Sequence, residues 1–231
     1  MAANELEDHE FGTVQVRRTK GRRSISFSVA PNGQLRIAAP ALTPLFVIKR
    51  LLVSSRQDIR HLLKKATPTF VYEDGAMLGK SHSLQVVTGD SLAVKRHDRV
   101  VRVSIPPSET IASPKVQAAI REIVVPILRR EAKHYLPRRL EYLAQQYGYS
   151  YERVRLSHTT TRWGSCSSSG TISLNIALMR LPFELIDYVL LHELAHTKQM
   201  NHSDAFWNLV EQMLPDYKSR RKVLKKYSPI C

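Results

Sequence analysis

The segment Leu191-His-Glu-Leu-Ala-His-Thr-Lys-Gln-Met-Asn-His-Ser203 gathers three histidines and one glutamate in a chain that has nine histidines in all. His192 and His196 are four residues apart, so on an α-helix their rings leave one face and converge on a common point. Glu193, one position round the helix, is displaced from that axis and suits a general base better than a ligand. His202 stands between Asn201 and Ser203, residue types that end one helix and cap the next, so a turn returns its ring toward the pair. Three imidazoles with an open fourth position describe a catalytic zinc site. The expectation is a zinc-activated water, its pKa lowered to about 7, that loses its proton to Glu193 as it attacks an electrophilic carbon or phosphorus. A closed structural site needs a further Cys or His nearby, and this segment offers none.

The elements that must position these groups are legible in the periodicity. Pro182 opens the metal helix, and Leu185, Ile186, Val189 and Leu190 turn toward a core. Upstream, Ser113-Pro114 starts a helical pattern carried by Val116, Ile120, Val124, Ile127 and Leu128, then Tyr135, Leu136, Leu140 and Leu143, ending near Gly148. Pro126 and Pro137 each remove a backbone donor, which predicts kinks or two consecutive helices. Strands are expected at 154–158 and 171–175 around a Gly/Ser-rich loop, followed by two further helices.

The first part of the chain reads differently. Residues 13–37 alternate apolar and polar side chains about a Pro31-Asn-Gly33 turn, a β-hairpin pattern. Thr43-Pro44 then starts one helix to about residue 65. Short alternating segments follow at 69–73, 84–88, 92–97 and 99–105, with turns at Asp74-Gly75 and His97-Asp98. No internal repeat is visible. The fold class is therefore α+β: an acidic tip over 1–12, a β-rich module with one helix over 13–110, and a mainly helical catalytic domain with a small sheet over 111–231.

At 231 residues the chain can bury a full core, so a zinc ion is expected to act rather than to staple. Thirty-five Lys and Arg against twenty Asp and Glu give a net charge of +15, which attracts phosphates or acidic surfaces. The cations cluster at Arg17, Arg18, Lys20, Arg22 and Arg23, along 129–139, and along 218–226. Two cysteines, no signal-like start and no apolar run near the roughly 18 residues of a membrane span predict a cytoplasmic protein outside the bilayer.

Arg162-Trp-Gly-Ser-Cys166, Ile172-Ser-Leu-Asn175, His192-Glu-Leu-Ala-His196, Asn201-His-Ser203 and Phe206-Trp207 occur in this order. The series resembles the YgjP-like zinc metallopeptidase family, a zincin group related to the SprT and WLM groups. Metzincins share the histidine spacing but have Gly three residues after the second histidine, where this chain has Gln199. The resemblance implies a zincin-like core in which the 114–147 stretch packs on the metal helix, a short sheet edge lines the cleft, and peptide bonds are hydrolysed.

Around the site, Arg162, Trp163 and Asn175 are candidates for holding substrate. Cys166 and His158 are read first as packing and turn residues, and Phe206 and Trp207 as joining the next helix to the metal helix. Asp204 is a candidate acceptor for a ligand imidazole or a helix-start residue. Two other functions stay open on charge: hydrolysis of a nucleoside triphosphate, and a non-enzymatic nucleic-acid-binding protein with a structural zinc, whose binding would be salt-dependent.

Overall fold

Alternation along four strands builds the first sheet. β1 (Asn4–Asp8), β2 (Gly12–Thr19), β3 (Ser26–Val29) and β4 (Leu35–Pro40) lie in the order β1-β2-β4-β3. The central β2–β4 pair is parallel and the outer pairs are antiparallel. Side chains on one face, Val14, Val16, Leu35, Ile37 and Ala39, meet Ile48, Leu52 and Ile59 of α1 (Leu45–Ser54) and α2 (Arg56–Ala66). The structure, a computed structural model, describes residues 4–29, 35–66 and 70–231. The expected Pro31-Asn-Gly33 turn and residue 69 lie outside them. Where one helix was expected over 44–65 there are two. The Ser54 hydroxyl donates to the Leu51 carbonyl, and Ser55 departs to φ −100°, ψ 15°.

The second sheet comprises β5 (Met77–Leu78), β6 (His82–Thr88), β7 (Ala93–His97) and β8 (Val100–Ile105) in the order β5-β6-β8-β7. Its β6–β8 pair is parallel and its outer pairs antiparallel, so the topology of the first sheet recurs although no sequence repeat announces it. Residues 70–73, expected as a strand, are irregular. Ser113 caps α3 (Pro114–Tyr147), and Gly148 ends it at φ 65°. Of the two outcomes expected at the prolines, two consecutive helices do not form: α3 is one helix through Pro126 and Pro137. The carbonyls that lose their partners belong to Glu122 and Lys133, both exposed residues.

Beyond α3, the order β10-β11-β9 forms a small sheet from β9 (Arg153–Ser157), β10 (Gly164–Cys166) and β11 (Thr171–Asn175). A 3₁₀ turn over Ile176–Arg180 leads to α4 (Phe183–Ala195), α5 (Asp204–Met213) and α6 (Tyr217–Leu224). The third of these helices was not expected from the sequence. The chain groups into two compact units, residues 1–69 and 70–231. The boundary expected near residue 110 falls inside the second, because Leu84, Val101 and Val103 share a core with Val116 and Ile120 of α3. Among the described residues no helix is long and apolar enough to cross a membrane.

Candidate metal centre

α4 is a core helix, buried on most sides through Leu185, Ile186, Val189, Leu190, Leu191 and Leu194. Arg139 of α3 clamps Asp187 with two hydrogen bonds of 2.8 and 2.6 Å, fixing the register of α4 against α3. A rigid helix therefore carries His192, Glu193 and the helix-ending His196. The chain turns through 197–202, and His202 returns so that one donor atom from each of the three histidines lies within 4.8 Å of the others.

Aromatic packing holds the rings. Phe206, fully buried on α5, sits 4.9, 4.4 and 4.8 Å from the ring centres of His192, His196 and His202. His202, the exposed member, stacks on Trp207 at 5.6 Å, and Trp207 stacks on Tyr217 at 5.4 Å. Phe206 and Trp207 thus do more than join two helices: they form the floor and side of the histidine cluster.

The protonation states suit ligation. Burial pushes the His192 imidazolium down to about 3, helped by the neighbouring His196, His202 and Arg221. His196 is also lowered, by burial first, although its bond to the Gln199 carbonyl opposes the shift. In that bond the His196 Nδ1–H donates over 3.0 Å, leaving Nε2 with a free lone pair. His192 and His202 turn their Nε2 atoms toward each other at 3.1 Å. A tetrahedral zinc with bonds of about 2.0–2.1 Å sets its nitrogens roughly 3.3 Å apart, so the donor set fits such an ion. Two buried polar atoms here, His192 Nδ1 and Glu193 Oε2, have no protein partner among the described residues.

Burial pushes Glu193 up to about 8, against the pull of Arg162. Its carboxylate reaches the wall of a cavity of about 200 Å³, bounded by Trp163, Gly164, Tyr188, Val189, His192 and Leu224 as well. Gly164 permits that approach: a Cβ there would stand 2.6 Å from Glu193 Oε1 and 2.8 Å from its Cγ.

Residues 23–227 match the family described as YgjP-like, metallopeptidase domain. The chain belongs to that family. As a YgjP-like metallopeptidase-domain protein it is a metallohydrolase. Two solved metallopeptidase zymogens are similar over a shorter stretch. Abylysin of Pyrococcus abyssi is 32% identical, covering 39% of this chain and 92% of its own, with a TM-score of 0.36. Jannalysin of Methanocaldococcus jannaschii is 20% identical, covering 39% and 94%, with a TM-score of 0.35. Among curated proteins nothing matches.

The remaining residues of this YgjP-like chain fall into place by location. Trp163 lines the cavity and Arg162 is exposed beside it. Asn175 is wholly buried behind the wall: its amide donates to the carbonyls of Thr159 (2.7 Å) and Arg162 (3.0 Å), so it braces the loop and does not face the cavity. Asp204 makes no hydrogen bond to a ligand imidazole and occupies the first turn of α5. The acceptor expected of it is the Gln199 carbonyl. Cys166 is half-buried with its thiol raised by burial, and His158 Nε2 lies 3.3 Å from the buried Cys231 thiol. Sequence reasoning missed Gly164, Tyr188 and Leu224. Gly164 was signalled only by its place in the Arg162-Trp-Gly-Ser motif, and Tyr188 by its position one turn before His192.

Proposed function

We propose that this protein is a zinc-dependent peptidase in which His192, His196 and His202 hold the ion and Glu193 is the general base. The observation that carries the reading is the convergence of three imidazole donor atoms within 4.8 Å beside a buried, partnerless carboxylate oxygen on a cavity wall. Zinc, when bound, supplies Lewis-acid charge that acidifies water and offsets negative charge developing on a carbonyl oxygen.

The chain's own groups do the rest. Glu193 takes a proton from water as the water oxygen bonds to the peptide carbon, then returns it to the departing amine nitrogen as the C–N bond breaks. Burial favours the protonated carboxyl and Arg162 only partly opposes it, so the ionised form that this needs would also draw on the positive charge of the ion that the three histidines would hold. Tyr188, on the same cavity wall and kept protonated by burial, presents a hydroxyl that has no partner among the described residues and can donate to the carbonyl oxygen. Trp163, Val189 and Leu224 keep bulk water from the scissile bond. The Gln199 carbonyl holds His196 in the tautomer that leaves Nε2 free.

The test is zinc-loaded protein incubated with unstructured polypeptides and, separately, with a panel of nucleotides, with metal content measured for each variant. Polypeptide is expected to be cleaved, and Glu193→Gln to keep its zinc while turnover falls about 10²- to 10⁴-fold. Undiminished turnover in Glu193→Gln, or consumption of nucleotide alone, overturns the reading.

A further inference from the structure

Two arginines stand beside the cavity with no acidic partner. Arg162 immediately precedes Trp163 and Gly164, which form part of the cavity wall. Arg221 is three residues before Leu224, another wall residue, and four after Tyr217, so the three share one face of α6. The Arg221 guanidinium lies 4.6 Å over Trp207, the ring that stacks on His202. Two neighbouring cations on α6 are engaged, Arg220 with Asp216 and the Glu184 carbonyl and Lys218 with Glu211, whereas Lys222 has no ion pair among the described residues and is not on the Tyr217–Arg221–Leu224 face. Among the described residues neither Arg162 nor Arg221 has an ion pair.

We infer that the preferred substrates are acidic peptides, with Asp or Glu side chains flanking the scissile bond and meeting the guanidinium groups of Arg162 and Arg221. This rests on the peptidase reading above. The cavity wall itself holds no Lys or Arg, so its Trp, Val and Leu surfaces receive the scissile segment, and the charges meet the residues on either side. A polyphosphate chain threaded into the same space would face apolar walls. An unpaired guanidinium is a strong recognition group for carboxylate because its N–H fork matches the two oxygens.

The experiment uses one peptide scaffold with Glu, Gln or Lys beside the scissile bond, cleaved by zinc-loaded full-length protein at low and high salt. Glu is expected to exceed Gln by about tenfold in kcat/KM and Lys by more, with the preference shrinking as salt screens it. Arg221→Gln and Arg162→Gln are each expected to lower the Glu-to-Gln ratio, Arg221→Lys to keep most of it, and Arg221→Glu to shift preference toward Lys. A packing defect would lower all three peptides together and leave the ratio standing. Equal cleavage of the three peptides by the native protein, or a ratio unmoved in both Gln variants, overturns the inference and leaves the peptidase reading intact. Failure to cleave any peptide, or turnover of nucleotides in their place, overturns both.

Discussion

The two four-stranded sheets share strand order and strand directions, and each is followed by helix, yet their cores differ in kind. The core of residues 1–69 is built of hydrocarbon, from Val14, Val16, Ile37, Ile48, Leu52 and their neighbours; among the described residues no polar side chain is buried whole in this unit, although Arg18 Nε and Arg56 Nε are buried as single atoms. Its charged contacts, Arg56 with Asp8 and Arg60 with Glu10, sit at the surface. The core of residues 70–231 also encloses Gln117, Arg121, Asn175, Glu193 and His196. Burying such groups is unfavourable unless each finds a partner, and most find one in backbone: Gln117 with Tyr72 and Ile111, Arg121 with Phe70, Asn175 with Thr159. Glu193 Oε2 has none, and Arg121 Nε and the Tyr72 hydroxyl are likewise buried without a partner among the described residues. One topology thus serves twice, and chemistry resides where the core accepts polar groups that stability alone would exclude.

Matched truncations give the largest effects. Ile48 and Leu190 are both fully buried, and replacing either with Ala is expected to destabilise its own unit by about 2–5 kcal/mol. Leu190→Ala should reduce zinc retention and hydrolysis, since Leu190 lies on the metal helix. Ile48→Ala should leave both unchanged while accelerating amide exchange in β2 and β4. Equal losses of hydrolysis in the two variants would break the division between the cores.

Gly164→Ala probes one atom of the second core. The added methyl would stand 2.6, 2.8 and 2.9 Å from Oε1, Cγ and Cδ of the buried Glu193 side chain, so that side chain must shift, and about 1–3 kcal/mol of stability is expected to be lost. A displacement of about 1 Å in a reacting group can lower rate about 10²-fold, and kcat/KM should fall on that scale. A variant with native kinetics would show that Glu193 does not work from this position.

Much of this was legible in the sequence because it follows local rules. The four-residue spacing of His192 and His196 fixes a shared helix face, and Ser113-Pro114 and Gly148 mark both ends of α3. What stayed hidden depends on partners distant in sequence. The pairing of β2 with β4 and of β6 with β8 is parallel and skips a strand, so no turn signal encodes it. Asn175 looks like a polar strand-end residue until the 159–162 loop folds over it. Pro126 and Pro137 do not split α3 into two helices: the residues four before them, Glu122 and Lys133, are exposed, a fact of burial that composition does not carry. Gly164 has no special backbone angle to announce it; its role exists only because Glu193 arrives beside it.

Asn175→Ala removes a buried amide that braces the loop leading to Trp163. The carbonyls of Thr159 and Arg162 lose their donor, for which about 1–3 kcal/mol is the usual loss. Because Asn175 positions the wall and does not touch the cavity, KM is expected to rise more than kcat falls, and zinc stoichiometry to hold. A variant that lost zinc while keeping KM would place Asn175 in the metal site instead.

The smallest effect separates the cores by pH. Burial pushes the Cys231 thiol up to about 11 from an ordinary value of 9.0, against the pull of Arg180, Arg121 and Arg129. In the unfolded chain the thiol ionises near 9, so above that pH the unfolded state has released a proton that the folded state retains. Stability contributed by the neutral thiol is therefore complete below pH 9 and is lost as pH rises toward 11, by at most about 1.4 kcal/mol per pH unit. Tyr72, also raised by burial, adds to the decline only above about pH 10. Both tryptophans, Trp163 and Trp207, belong to residues 70–231, so fluorescence during urea unfolding reports that unit alone. Between pH 9 and 10 its stability is expected to fall more steeply in the native protein than in Cys231→Ala, where the raised Cys166 thiol still contributes, while amide exchange in β2 and β4, beside a core of hydrocarbon side chains, shows no matching loss of protection once the intrinsic base-catalysed rate is divided out. A slope of equal size in both units would mean that alkaline loss arises from the net charge of the whole chain and not from what the second core encloses.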